Sequence, residues 1–181
     1  VLSVAVHNVH SRRVAADVDA AGALLDGLAR SGDRLWPAQD WMPIWLDGPT
    51  EVGTTGGHGP ARWRIVGHQP GRWIRCALTG PPFLVGFHEF TVRPDGPGAA
   101  VVEHLLALRL GALGWAVYPL VFRPLHDYVI EQALDRAQQH LTGSVGRSTV
   151  AGPGTRMLRW LMTRYLRWAA PNPTAVESDR S

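Results

Sequence analysis

The chain contains no lysine, and all 18 of its basic residues are arginine. With alanine and glycine abundant, this bias fits GC-rich codon usage better than selection for guanidinium chemistry. The net charge is only +3 and the arginines of the main body are scattered. A nucleic-acid binder needs a concentrated basic stripe with stacking aromatics, so no nucleic-acid partner is expected. The single cysteine, Cys76, excludes an internal disulfide and suits a reducing compartment. The least polar run, Leu110 to Phe122, is shorter than the ~20 residues that span a bilayer, so no transmembrane helix is expected. The first segment, Val4 to Val14, reads as a strand rather than a leader, and a cytoplasmic protein is expected. The run Gly56-Gly57-His58-Gly59 is no phosphate loop, because no Lys-Ser/Thr follows and a strand does. There is no internal repeat, and no histidine pair at tight ligand spacing. Neither a metal nor another cofactor is expected.

With 181 residues and 45% hydrophobic content, the chain can bury a sizeable core without a metal or disulfide. Alternation shows where polar groups enter that core. Along Gly86 to Arg93, His88, Phe90 and Val92 share one face while Glu89, Thr91 and Arg93 share the other. Along Val101 to Leu110, Val102, His104, Leu106, Leu108 and Leu110 share a face, with Glu103 and Arg109 opposite. The turn formers Pro94 to Gly98 between them predict a hairpin whose inner faces meet.

A third histidine follows on a helix. Advancing 100° per residue from Phe122 groups Leu125, His126, Val129, Ile130, Ala133, Leu134, Ala137 and Leu141 on one arc. Asp127, Glu131, Asp135 and Gln138 fall opposite, where the i,i+4 pair Asp127 and Glu131 reads as a solvated stripe. The apolar arc must cover something apolar, and the preceding sheet is available. His88, His104 and His126 thus converge inside an apolar interior. Buried without partners, each would cost roughly 1 to 3 kcal/mol, so a polar spot in a small-molecule pocket is the expectation. Phe90, Leu106, Phe122 and Val129 share the faces of these histidines and are candidate ligand contacts.

Asp17 or Asp19 can cap a helix from Ala20 to Ala29. Trp41 to Leu46 reads as a strand or edge segment, Thr54 to Pro60 as a loop, and Ala61 to His68 and Arg72 to Thr79 as further strands. Pro119 and Pro124 should kink or delay the long helix. Trp36 and Trp45, near the first helix, are candidate pocket walls, and His58 in its glycine loop is a candidate at the pocket mouth. Antiparallel strands with short turns followed by a covering helix indicate an α+β architecture.

Together Arg12-Arg13, Leu35-Trp36-Pro37, Gly57-His58-Gly59-Pro60, Gly86-Phe87-His88-Glu89-Phe90, His104 and Leu125-His126-Asp127 resemble the START-like, Bet v 1-like (SRPBCC) superfamily of polyketide cyclases and lipid-transfer proteins. The resemblance covers roughly residues 4 to 142. It implies a helix-grip fold, in which a curved antiparallel sheet wraps a long C-terminal helix around a hydrophobic cavity. It implies either a carrier of a lipid, polyketide or aromatic compound, or a cyclase or dehydratase. In the enzyme, His88 or His104 would remove a proton and His126 would donate to the developing enolate. The superfamily has no universal catalytic signature, so the fold does not choose between them.

The expected organisation is a helix-grip domain over 1–142, a linker over 143–154, a basic amphipathic helix over 155–170 and a disordered tail over 171–181. On the helix, Met157, Leu158, Leu161, Met162, Tyr165, Leu166 and Trp168 occupy one half, and Arg156, Arg159, Arg164 and Arg167 the other with Trp160. This pattern suits an anionic membrane surface, and equally docking onto the domain or self-association through 155–169.

Overall fold

A computed structural model describes residues 4–146 and 148–169. The chain divides into two units, Val1–Val150 and Ala151–Ser181. In the first, seven strands form one sheet in the order β1-β7-β6-β5-β4-β3-β2, antiparallel at every step. They are β1 (Val4–Val14), β2 (Trp45–Leu46), β3 (Thr55–His58), β4 (Ala61–Gln69), β5 (Trp73–Gly80), β6 (Val85–Pro94) and β7 (Ala100–Leu110). The first helix, α1 (Val18–Asp26), separates β1 from β2, and α2 (Ala112–Val117) and α3 (Arg123–Thr142) follow β7. The architecture is the α+β helix grip.

Alternation sets the faces of the sheet. On β4, Ala61, Trp63, Ile65 and Gly67 are buried while Arg62, Arg64 and Val66 are exposed. A register shift between Ile65 and Gly67 bends the β4–β5 pair, as bulges do. The hydrophobic core continues through Leu84, Leu106, Leu108, Leu110 and Tyr118. The long helix buries Leu125, Val129, Ile130, Ala133, Leu134 and Ala137, the arc the helical wheel selects. Asp17 caps α1 by accepting from the Asp19 and Ala20 N–H groups, and α1 stops earlier than its pattern suggests, at Asp26. There the Asp26 carboxylate accepts the Gly71 N–H of the β4–β5 turn at 2.7 Å. A Cβ on Gly22 would stand 2.2 Å from the Gly71 carbonyl oxygen, so glycine is what lets α1 lie on that turn.

Three elements depart from the pattern. The glycine-rich segment Thr55–His58 is a strand and not a loop. A Cβ on Gly56 would come within 2.6 Å of the Trp45 carbonyl, and one on Gly57 within 2.5 Å of the Ala61 carbonyl. The residues that look like loop formers are those that let neighbouring backbones close in. Second, the strand expected over Trp41 to Leu46 is only Trp45–Leu46. Third, of the kink or delay expected of the prolines, a delayed start is not what occurs. Helix begins at Ala112, and Tyr118–Phe122 forms a π turn in which the Arg123 N–H reaches the Tyr118 carbonyl. Pro124 cannot donate to the carbonyl four residues back, and its ring would crowd that oxygen. Widening the turn relieves both.

In the second unit, α4 (Pro153–Ala169) begins after Gly152. The tail expected over 171–181 lies outside the described residues. Among the described residues, no helix is long and apolar enough to cross a membrane.

Candidate functional site

Strand register brings the inward histidines together. Phe90 pairs with His104 and His88 with Leu106 across β6–β7, while His10 pairs with His104 across β1–β7. One row of the inner face therefore reads Asn8, Leu106, His88, Cys76, Ile65, and the next reads His10, His104, Phe90, Ile74. The α3 residue His126 meets this surface with its ring 5.1 Å from His104. From there the rings continue in a chain, with His104 to His88 at 5.7 Å, His88 to Trp63 at 4.9 Å and Trp63 to His58 at 5.4 Å. At the other end His126 lies 6.0 Å from His10.

These imidazoles are short of partners. His58 Nδ1, His88 Nε2, His104 Nδ1, His126 Nδ1 and the Tyr118 hydroxyl are all buried without a hydrogen bond. Desolvation disfavours the charged ring, pushing His58 down to about 4 and His88 down to about 3, with repulsion from neighbouring histidines adding to it. His104 is driven well below the ordinary range for the same reasons. Burial also lowers His126, although Asp127 opposes the shift. The row is therefore neutral near pH 7, with a donor and an acceptor on each ring.

Behind His126 the character changes. Asp127 Oδ1 accepts from Asn8 Nδ2 at 2.7 Å, stands 3.2 Å from His10 Nε2 and lies 3.7 Å from His126 Nδ1. His10 Nδ1 meets Glu131 Oε1 at 2.7 Å. Arg12 binds the other Glu131 oxygen at 2.9 Å, Asp135 at 2.8 Å and Gln138 at 2.8 Å. Burial alone would raise the Asp127 carboxyl, but the His126, Asn8 and His10 groups beside it outweigh this and hold it below the usual carboxylate range. The stripe expected to be solvated is instead paired with β1. Sequence reasoning missed Asn8, His10 and Arg12, which share the inner face of β1 with Val6, because the outer face is as polar and offers no contrast.

His88, His104 and His126 come together as their periodicities imply. Phe90 packs edge-on to His104 at 4.6 Å, and Phe122 stacks on His126 at 5.7 Å. Leu106 and Val129 are buried on the same two surfaces. Trp36 is buried with its ring 4.8 Å from His58, and its indole N–H donates to the Met42 carbonyl. His58 is on β3, held between the Trp36 and Trp63 rings, so Trp63 joins the group unannounced. Trp45 stands apart. It is 43% exposed on the edge strand, with the Arg62 guanidinium 5.5 Å from its ring centroid. As for metal donors, the group among the described residues with three ligand atoms mutually within 4.8 Å is His10, His126 and Asp127, not the three histidines of the sheet and helix.

A sheet gripping a long helix is the architecture that the sequence resemblance implies. No family model matches the sequence, and no curated protein does. Solved structures similar to it include norcoclaurine synthase from Thalictrum flavum, a point mutant in complex with a transition-state analogue. It is 18% identical with a TM-score of 0.60, over 79% of this chain and 98% of that one. The same enzyme in complex with dopamine and hydroxybenzaldehyde gives 17% and 0.59, over 80% and 91%. CalU16 from Micromonospora echinospora gives 15% and 0.55, over 90% and 86%. At these identities the likeness establishes the fold.

Proposed function

We propose that the chain binds a small, largely apolar molecule between the inner face of the sheet and α3, with His58, His88, His104 and His126 as its polar contacts. The observation that carries this reading is the set of buried imidazole nitrogens without partners. Each unsatisfied polar atom costs about 1–3 kcal/mol, and four on neighbouring rings make a cost that a ligand with carbonyl or hydroxyl groups would offset. The rings of Trp36, Trp63, Phe90 and Phe122 favour an aromatic or polyketide-like compound over a plain acyl chain, since flat rings stack. Norcoclaurine synthase, of similar fold, holds two aromatic molecules in one of its structures.

Native mass spectrometry of freshly purified protein tests the reading. A retained small molecule, lost from His88→Phe and His104→Phe variants that melt normally, is the expected result. An empty wild-type protein whose histidines bind only water would overturn it.

A second reading is an enzyme of the cyclase or dehydratase type, favoured by the Asp127 carboxylate 3.7 Å from His126 Nδ1, close enough to stabilise a charge that develops on that ring. Against it, a general base works best with a pKa near the operating pH, and burial takes His88 to about 3. Turnover of a carbonyl substrate, abolished by His88→Ala or His104→Ala without loss of fold, would establish the enzyme. For the second unit, we propose peripheral contact with an anionic membrane surface through α4, in a cytoplasmic protein.

A further inference from the structure

We propose that His10, His126 and Asp127 form a binding site for a divalent first-row transition ion at the seam between β1 and α3. The site shares His126 with the imidazole contacts proposed for the small molecule, while His10 and Asp127 lie outside them.

The spacing of the three donors suits one ion. A tetrahedral ion with bonds of about 2.0–2.1 Å needs its ligand atoms about 3.3 Å apart. Asp127 Oδ1 lies 3.2 Å from His10 Nε2 and 3.7 Å from His126 Nδ1, and all three donor atoms fall within 4.8 Å of one another. Small side-chain movements close such a triangle onto one ion. Two imidazoles and one carboxylate are a donor set for zinc or iron(II), and too rich in nitrogen for magnesium or calcium.

A layer of hydrogen-bonding groups stands behind these donors. A metal-bound histidine usually gives its other ring N–H to a carboxylate, which fixes the tautomer and strengthens the donor. His10 has this arrangement, with Nδ1 on Glu131 Oε1 at 2.7 Å and Arg12 on the other Glu131 oxygen at 2.9 Å. Asn8 donates to Asp127 Oδ1 at 2.7 Å, steadying the carboxylate.

One of the donor atoms has no hydrogen bond. The His126 side chain is 11% exposed, and its Nδ1 is buried without a hydrogen bond, too far from Asp127 for one. His10 has a carboxylate oxygen at each ring nitrogen, Glu131 Oε1 at 2.7 Å and Asp127 Oδ1 at 3.2 Å, and neither contact serves His126 Nδ1. An ion at the centre of the triangle uses all three donors, and three protein ligands leave a position for water or a polar ligand atom.

The test uses the full-length, tag-free protein, freed of metal by a chelator and titrated with cobalt(II) and then zinc(II). A single equivalent of cobalt should bind with visible d–d absorption, zinc should displace it, and millimolar magnesium should not. His10→Ala and Asp127→Asn should abolish the stoichiometric uptake, while His140→Ala, on the exposed end of α3, should leave it unchanged. Glu131→Gln should weaken binding about 10- to 100-fold, as loss of an outer-shell carboxylate does. Wild-type protein that melts normally yet takes up no stoichiometric cobalt or zinc would overturn the proposal. So would uptake that survives both His10→Ala and Asp127→Asn. Should Asp127→Asn fail to fold, the wild-type cobalt spectrum and the Glu131→Gln titration decide. Small-molecule retention by the metal-free protein, read by mass spectrometry, separates failure here from failure of the binding reading.

Discussion

Desolvation sets the chemistry of His58, His88, His104 and His126, and it ties stability to pH. The folded-state values of about 3 for His88 and about 4 for His58 lie below the ~6.5 of an unfolded histidine. Between about pH 6.5 and 3 the unfolded chain therefore holds more protons than the folded one, and stability falls as pH falls through that window. Above about 6.5 the contribution is fully present. Each ring adds at most about 1.4 kcal/mol per pH unit to the slope. Urea denaturation at pH 7 and pH 5 should show this loss, and His88→Phe should flatten it by up to one histidine's share. An unchanged slope in that variant would mean His88 titrates freely in the native protein. Cys76, paired with His88 across β5–β6, meets the same force with the opposite sign. Burial pushes its thiol up to about 12, leaving almost no thiolate at neutral pH. Ellman's reagent should label the native protein slowly and the unfolded protein at once. Rapid native labelling would show that water reaches the inner face of β5.

Between elements, the connection that matters most is β1 to α3, and Arg12 is its centre. One guanidinium joins Glu131, Asp135 and Gln138, three successive turns of the helix. With its side chain 23% exposed, solvent screens part of the interaction. Arg12→Ala should cost about 2 kcal/mol, toward the lower end for removing a charged hydrogen-bonding partner, measured as a drop in the urea midpoint at unchanged slope. A loss near zero would show that α3 is held by its apolar arc alone. The same seam marks where the sequence stopped being readable. Strands β6 and β7 and helix α3 carry single histidines among apolar neighbours, so period identifies the inward residue without help from tertiary structure. On β1 the inner face is Asn8, His10, Arg12, as polar as the outer face, and alternation has no contrast to register. The acidic side of α3 looks solvated for the same reason. A helical wheel sees only its own helix, and the polar strand that pairs with that side is over a hundred residues away. In β3, glycine stands for close backbone approach and not for a turn, a distinction that depends on what lies beside it.

At the scale of the whole chain, element order indicated an α+β architecture, because short antiparallel connections and one covering helix leave few alternatives open, and the helix grip came with the resemblance to the superfamily. The second unit is decided by surface chemistry instead. On α4, Met157, Trp160 and Leu161 are each about half exposed or more, and the Arg164 guanidinium lies 5.0 Å from the Trp160 ring centroid. Large apolar groups beside arginines are what an interfacial helix presents to anionic lipid, with insertion and charge attraction acting together. Near such a surface each basic side chain contributes about 1 kcal/mol. Replacing Arg156 and Arg164 by glutamine should therefore lower partitioning about 30-fold, and Trp160→Ala should lower it through lost insertion. Flotation with phosphatidylglycerol vesicles should carry the full chain upward, phosphatidylcholine vesicles should not, and 1 M salt should release it, since the screening length then shrinks to about 3 Å. If the chain stays at the bottom with both lipids while its mass in solution rises with concentration, α4 pairs with a second copy and the membrane reading fails. Flotation that ignores lipid charge and both arginine substitutions would equally exclude the electrostatic half of the argument.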